Sequence, residues 1–117
     1  SPDGRRYPWG GKHGPDSLRA NSHKRVGRPT PVGIYPAGNG MYGHTDLAGN
    51  VWELSLDVDE HIKFTAKQLR DKGHQRVLYG GAYTTADRVA TTGRGGLRSG
   101  ERAANVGFRV AAEPAIP

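Results

Sequence analysis

The sequence contains no cysteine, and Met41 is its single methionine. The lack of cysteine excludes disulfide bonds, thiolate metal ligands and cysteine nucleophiles, and it leaves the cellular compartment open because it fits reducing and oxidising surroundings alike. The chain also lacks an apolar run long enough to cross a bilayer and an apolar start typical of a signal peptide. We therefore expect a soluble chain with no membrane span. Because the chain begins at Ser1, we expect any amino-terminal targeting signal to have been removed.

Hydrophobic residues are also scarce, at 34% of the 117 residues, whereas the chain has 18 glycines and 8 prolines. A chain of this length has room for one domain with one modest core. Its composition favours short strands and many turns over a helical bundle. We expect a single loop-rich α+β domain over residues 1–117.

The positive charge is spread along the chain and is not concentrated in one run. The net charge is +6 and the isoelectric point is near 10.0, which raises the question of nucleic-acid binding. Scattered basic residues with little aromatic interleaving are typical of a solvated surface and of internal arginine pairs, so we expect no nucleic-acid partner. The five histidines have no paired spacing typical of a zinc or iron site: His13, His23, His44, His61 and His74.

Local patterns predict five regular elements, four strands and one helix. Residues 1–31 have no sustained period, and we expect irregular coil held by Tyr7 and Trp9. A short strand punctuated by turn residues is predicted over 32–43. The alternation of apolar and polar residues over 51–58 predicts a strand with one buried face, carrying Trp52, Leu54, Leu56 and Val58.

The period then changes to that of a helix. Apolar residues at helical spacing, with an aspartate at the start and a glycine at the end, predict one helix near 57–73. Two further strands are predicted over 77–83 and 106–112, the second with Val106, Phe108 and Val110 on one face. The stretch between them is rich in glycine, threonine and arginine, and we expect it to be a polar loop.

Four motifs occur in order: YPWG at 7–10, PVGIYP at 31–36, LAGNVWEL at 47–54, and the pair RVLYGGAY and NVGFRVA ending at Ala111. Together they resemble the carboxy-terminal half of the formylglycine-generating-enzyme, or sulfatase-modifying-factor, family. The resemblance implies that family's C-type-lectin-like fold. It also implies that a further amino-terminal half, which members normally carry, is not part of this chain and is a possible binding partner.

The resemblance implies a calcium site in the third motif. Carried over one position at a time, its ligands are the side chains of Asp46 and Glu53 and the carbonyls of Gly49 and Val51. Calcium prefers several such oxygen ligands. The alternative is that Asp46 caps a turn and that Glu53 pairs with an arginine. The partner arginine is not identified by the sequence; separately, Arg109 of the GFR motif can anchor a carboxylate bidentately.

The resemblance does not extend to catalysis. Catalytic members bind copper through two cysteines that correspond to Thr85 and Ala90, and copper(I) prefers soft thiolates, so we expect no copper. A relative that makes sulfoxides with histidine-bound iron takes its metal ligands from another domain. We find no catalytic residues in the sequence.

The segment from Tyr79 to Asn105 instead has the composition of a ligand surface. It resembles the varied region of proteins from diversity-generating retroelements, which display substituted side chains on a lectin-like framework. We therefore expect a non-catalytic module for a protein or other macromolecular ligand. The alternatives are an oxidoreductase like formylglycine-generating enzyme, or a fragment of one, and a structural partner domain. The candidate ligand-binding residues are Tyr79, Tyr83, Thr84, Thr85, Asp87, Arg88, Thr91, Thr92, Arg94, Arg98 and Glu101.

Overall fold

The computed structural model describes residues 4–58, 75–86, 89–98 and 100–112. Within these ranges the chain forms one four-stranded mixed sheet and one turn of 3-10 helix at Pro36–Gly38. The strands are β1 (Trp52–Val58), β2 (Gln75–Tyr79), β3 (Arg94–Arg98) and β4 (Val106–Gly107), arranged in the order β3-β2-β1-β4. β2 runs antiparallel to β1 and β3, and β4 runs parallel to β1.

One face of the sheet carries a hydrophobic cluster. Trp52, Leu78 and Ala82 are buried there, with Leu97 and Val106 packed against them. The register pairs Leu78 with Gly95, and a Cβ atom at Gly95 would lie 3.6 Å from the Trp52 ring. The absent side chain at Gly95 therefore leaves room for the indole, which is how a strand as polar as β3 fits against the core.

A second hydrophobic cluster is separate from the first. It consists of the buried residues Ala20, Ala48 and Val89, with Trp9 packed against them. The Tyr7 ring stacks on Trp9, with centroids 5.2 Å apart and planes 2° from parallel. Residues 4–31 contain no helix or strand. Both the predicted coil and its attachment through Tyr7 and Trp9 are thus confirmed over this range.

Two of the predicted strands are wrong in whole or in part. Residues 32–43 form loops around the 3-10 turn at Pro36–Gly38, because Pro36 has no amide hydrogen to give to a ladder. The strand predicted over 106–112 ends at Gly107. Phe108 and Val110 are 77% and 84% exposed, so the apolar face predicted for this strand is not buried.

The other strand boundaries shift, and one strand was missed. The predicted strand over 51–58 and the predicted helix near 57–73 overlap at Asp57 and Val58, and both residues belong to β1, where Val58 pairs with Arg76. The rest of that helix, residues 59–73, lies outside the described residues. The strand predicted over 77–83 is β2, which ends at Tyr79 before Gly80 turns the chain with a φ of +92°. The predicted polar loop contains β3. Across the described parts of the chain, no helix is long and apolar enough to span a bilayer.

Candidate functional site

The loop that leads into β1 forms one wall of an open cavity of about 160 Å³. All four residues predicted to bind calcium line it: Asp46, Gly49, Val51 and Glu53. Asp46, Gly49 and Asn50 have positive φ angles of +51°, +80° and +68°. At Gly49 a Cβ atom would lie 2.6 Å from the carbonyl oxygen of Asn21, so this turn requires glycine for space as well as for conformation.

Asn50 anchors the loop through hydrogen bonds of its side chain and its own amide. Its side chain is buried, and its Oδ1 accepts hydrogen bonds from the Thr30 amide at 2.8 Å and from Asn21 Nδ2 at 3.2 Å. Its Nδ2 donates to the Thr30 carbonyl at 3.2 Å, and its own amide donates to the Asn21 carbonyl at 2.8 Å. These bonds tie the loop to the irregular amino-terminal segment. Asn50 thereby positions Gly49 and Val51 on either side of it.

Arg109 closes the cavity from the carboxy-terminal side. Its Nε donates to Glu53 Oε1, and its Nη2 donates to the carbonyls of Thr45 and Asp46, each at 2.9 Å. The guanidinium therefore contacts one carboxylate oxygen and two carbonyls, and it does not make the bidentate carboxylate pair expected from the sequence. Glu53 is the more enclosed partner, with 17% of its side chain exposed against 39% for Arg109.

The two carboxylates of the cavity have different partners. Asp46 Oδ2 accepts a hydrogen bond of 2.8 Å from the Gly33 amide. For Glu53, burial raises the pKa of the carboxyl, the hydrogen bond and charge of Arg109 lower it, and the charge of Asp46 adds to the rise; the net direction is upward. A second positive charge beside Glu53 would favour its ionised form.

The donor set fits a hard cation in chemical type. Two carboxylates and two backbone carbonyls are the ligands that calcium prefers. The Arg109 guanidinium, however, already places a positive charge on Glu53 and on the Asp46 carbonyl. In the described ranges, this cavity included, no group of three or more histidine, cysteine, aspartate or glutamate residues is close enough to hold a metal ion. Calcium binding at this cavity stays a prediction.

The predicted ligand-binding residues fall into separate groups. Tyr79, Arg94 and Arg98 share one face of the β2–β3 pair, because Tyr79 lies opposite Arg94 in the register and side chains alternate along β3. The Arg94 guanidinium lies 5.6 Å from the centroid of the Tyr79 ring. Glu101 adjoins this face, since its amide donates to the Arg98 carbonyl at 3.1 Å. These four residues form the group that we call the sheet-face group.

Tyr83, Thr84 and Thr85 lie in the turn that follows β2. The Tyr83 and Thr85 carbonyls accept hydrogen bonds from the amides of Lys24 and His23, at 2.8 and 2.9 Å. Thr84 is exposed, and its Oγ1 accepts a bond of 3.2 Å from the Asn105 side chain. Thr85 Oγ1 accepts from the Ala82 amide at 3.0 Å, so its hydroxyl serves the turn.

Thr91 is bonded to the backbone of the amino-terminal segment. Its Oγ1 contacts the carbonyls of Arg5 and Arg6 at 2.6 and 2.9 Å, and its amide donates to the Arg6 carbonyl at 2.8 Å. Thr92 beside it is exposed. Asp87 and Arg88 lie outside the described residues. The structure therefore brings together the sheet-face group and does not bring Thr91 to it.

A second open cavity, of about 260 Å³, separates Thr91 from the loop at 40–47. Met41 and Tyr42 line it and are 50% and 72% exposed, with Leu47 and Pro8 deeper in the wall. Sequence reasoning did not place these residues at a site, because no local pattern relates 41–47 to Thr91. It also missed Asn50 as a positioning residue, although an Asn after Gly49 is typical of a left-handed turn.

Relatives of known activity are much longer than this chain. It is 33% identical over 96 residues to hercynine oxygenase of Mycolicibacterium smegmatis, in a match that covers 73% of this chain and 22% of the relative. The hercynine oxygenase of Mycobacterium tuberculosis is 47% identical over 49 residues, which cover 42% of this chain and 11% of the relative. The chain thus spans about a fifth of the length of the first of these oxygenases.

Two solved structures share the fold. Treponema denticola variable protein 1 superposes with a TM-score of 0.61 at 25% identity, over 78% of this chain and 34% of the other. CarF superposes with a TM-score of 0.61 at 18% identity, over 80% of this chain and 32% of the other, and this likeness shows the fold alone. These neighbours confirm the predicted C-type-lectin-like fold. A family model for the sulfatase-modifying factor enzyme 1-like domain matches residues 2–114, and the chain belongs to that family.

Proposed function

We propose that the chain is a non-catalytic ligand-binding module whose ligand surface lies between Tyr79 and Asn105, as in the variable proteins of diversity-generating retroelements. The observation that carries the proposal is the structural likeness to Treponema denticola variable protein 1 over 78% of the chain. The ligand is a protein or another macromolecule.

The distribution of burial within this segment supports the proposal. Arg94, Arg98, Glu101, Thr84 and Thr92 are exposed. Framework residues alternate with them: Ala82 and Val89 are buried, and Leu97 packs on the core cluster. Exposed polar side chains on a fixed framework can change without loss of the fold, which is what a varied binding surface requires.

The two positions that correspond to copper-binding cysteines have local structural roles. Thr85 bonds to the Ala82 amide, and Ala90 is 7% exposed. Hydroxyl and methyl groups cannot replace thiolates as ligands for copper(I). The proposal therefore assigns no redox chemistry to this segment. Calcium, if held by Asp46, Glu53 and the carbonyls of Gly49 and Val51, would support the loop and take no part in a reaction.

The test is to sequence this end of the gene across a population of close copies. We expect substitutions to cluster at the exposed positions Thr84, Thr92, Arg94, Arg98 and Glu101, and to spare the framework positions Gly80, Gly95 and Leu97. Adenine-rich codons should mark the varied positions in the template copy. Substitutions spread evenly over exposed residues of the whole chain, such as Lys12 and Arg28, would contradict the proposal.

A second function has its own support in the identity to hercynine oxygenase. The chain would then be the part of a longer oxygenase that carries this fold, and the remaining part would supply the metal ligands. The purified chain should be combined with the remaining part of such an oxygenase and incubated with hercynine, a thiol, iron(II) and dioxygen, and the amount of hercynine should be followed by mass spectrometry. Consumption that stops when iron is chelated would favour the oxygenase over the binding module. No consumption is the result expected for the binding module.

A further inference from the structure

Arg109 and calcium would share one oxygen atom, Oε1 of Glu53. The resemblance gives the Glu53 carboxylate to calcium, and the structure gives Oε1 of that carboxylate to Arg109 Nε. The guanidinium also donates a hydrogen bond to the backbone carbonyl of Asp46, the residue whose side chain would provide the second carboxylate. Of the Asp46 carboxylate oxygens, Oδ2 is bonded to the Gly33 amide. The sequence leaves two alternatives open for Glu53, calcium binding and pairing with an arginine. Both involve the same carboxylate.

Simultaneous occupation is disfavoured on two grounds. Calcium takes six to eight oxygen ligands, often with a bidentate carboxylate, and bidentate binding by Glu53 requires the oxygen that Arg109 holds. In addition, a divalent cation a few ångströms from a guanidinium is repelled by it, and the repulsion is stronger in a cavity that is partly shielded from water. Calcium and the guanidinium therefore compete.

We propose that Arg109 is an internal cation that occupies the calcium position implied by the resemblance, so that calcium binds only by displacing the Arg109 side chain from Glu53. Arg109 lies two residues after β4, and Phe108 beside it lines the same cavity. Displacement of the guanidinium also removes its hydrogen bonds to the Thr45 and Asp46 carbonyls. These bonds join the carboxy-terminal segment to the loop that leads into β1. Calcium would thus loosen residues 108–112 from that loop. This inference does not depend on the ligand surface between Tyr79 and Asn105.

The first experiment measures calcium affinity by isothermal titration calorimetry on the whole chain. Arg109→Gln removes the competing charge, and we expect it to bind calcium about tenfold or more tightly than the parent chain, a coupling of ordinary size for two linked binding events. Arg102→Gln is the charge-matched control, because Arg102 is exposed and does not line the cavity. Its affinity should equal that of the parent chain. Adding Glu53→Gln to Arg109→Gln should abolish the gain.

The second experiment observes the arginine directly. In the parent chain, the Nε–H proton bonded to Glu53 should give a shifted and slowly exchanging NMR signal, which Arg109→Gln identifies by its loss. Calcium should move this signal to the position of a solvated arginine. The proposal is overturned if the signal persists at saturating calcium, if Arg109→Gln binds calcium no better than the parent, or if neither protein binds calcium. Natural variation between Tyr79 and Asn105 would be unaffected by any of these results.

Discussion

The guanidinium of Arg109 donates a hydrogen bond to the carboxylate of Glu53, a residue 56 positions earlier in the sequence. The pair links the segment after β4 to β1, and the same guanidinium also reaches the carbonyls of the loop before β1. Because β4 has only two residues, side-chain bonds carry much of this attachment. The pair is therefore a structural connection as well as an electrostatic one.

Replacing Arg109 should reduce stability. Arg109→Gln leaves the largely enclosed Glu53 carboxylate without its charged partner, and the loss should be about 1–3 kcal/mol in the free energy of unfolding, the usual cost of removing a hydrogen bond to a charged group. Arg109→Lys should recover only part of it, because one ammonium cannot reproduce the forked geometry. Urea unfolding measures both. Arg102→Gln, at an exposed position, should stay within about 0.5 kcal/mol of the parent.

The pH dependence of this loss follows from Glu53. Burial raises the pKa of its carboxyl above the ordinary value of 4.5, and Arg109 opposes the rise. Because the pKa of Glu53 is raised in the folded state, the contribution of this carboxyl to the stability of the fold is present in acid. It is lost as the pH rises through the folded-state pKa. Arg109→Gln should raise this pKa further. The gap in unfolding free energy between Arg109→Gln and the parent should therefore be larger at pH 7 than at pH 4.

The Glu53 pKa itself can be followed by carbon NMR of the side-chain carboxyl during a pH titration. We expect a midpoint above the ordinary value of 4.5 in the parent chain, and a higher one in Arg109→Gln. An equal stability gap at both pH values, together with an unmoved midpoint, would show that Arg109 contributes to stability by packing and not by charge.

Asn50 should be more sensitive than its polarity suggests. Asn50→Ala removes the bonds to Thr30 and Asn21 and places alanine at a φ of +68°, so we expect a loss of about 2–3 kcal/mol. Asn50→Gly loses the same bonds without the strain of alanine at positive φ, so it should be less destabilising. Asn105→Ala removes one exposed bond to Thr84 and should have little effect in the same thermal or urea unfolding experiment.

The sequence predicted those parts of the fold that have a local pattern. β1 was found from its alternation around Trp52, and β2 from its β-branched and aromatic residues. β3 was missed because Arg-Gly-Gly-Leu-Arg has no alternation of its own; it is a strand through its pairing with β2 and the room that Gly95 gives to Trp52. Phe108 and Val110 showed the alternation of a strand, but the ladder ends at Gly107 and leaves them exposed.

The candidate site, like the fold, was predicted from the sequence only in part. The nearness of Asp46, Gly49, Val51 and Glu53 follows from eight consecutive residues and a resemblance. The choice of Arg109 as the partner of Glu53 does not, since a chain with many arginines offers no local rule for a pairing over 56 positions. The composition of its segment suggested Thr91 as a ligand residue, and nothing in the sequence indicated that its hydroxyl contacts the Arg5 and Arg6 carbonyls.

Gly80 and Gly27 separate the cost of backbone conformation from the cost of crowding. Both have a positive φ, +92° and +80°, but a Cβ atom at Gly80 would lie 2.7 Å from the Leu47 carbonyl oxygen, whereas at Gly27 it would meet nothing within 4 Å. Gly27→Ala should therefore cost only about 1–2 kcal/mol for the left-handed conformation. Gly80→Ala should cost more, because it also pushes apart two backbone segments and strains the bond from the Gly49 amide to the Gly80 carbonyl. Urea unfolding of the two variants gives the comparison, and equal losses would mean that the Leu47 backbone moves freely enough to accept a methyl group.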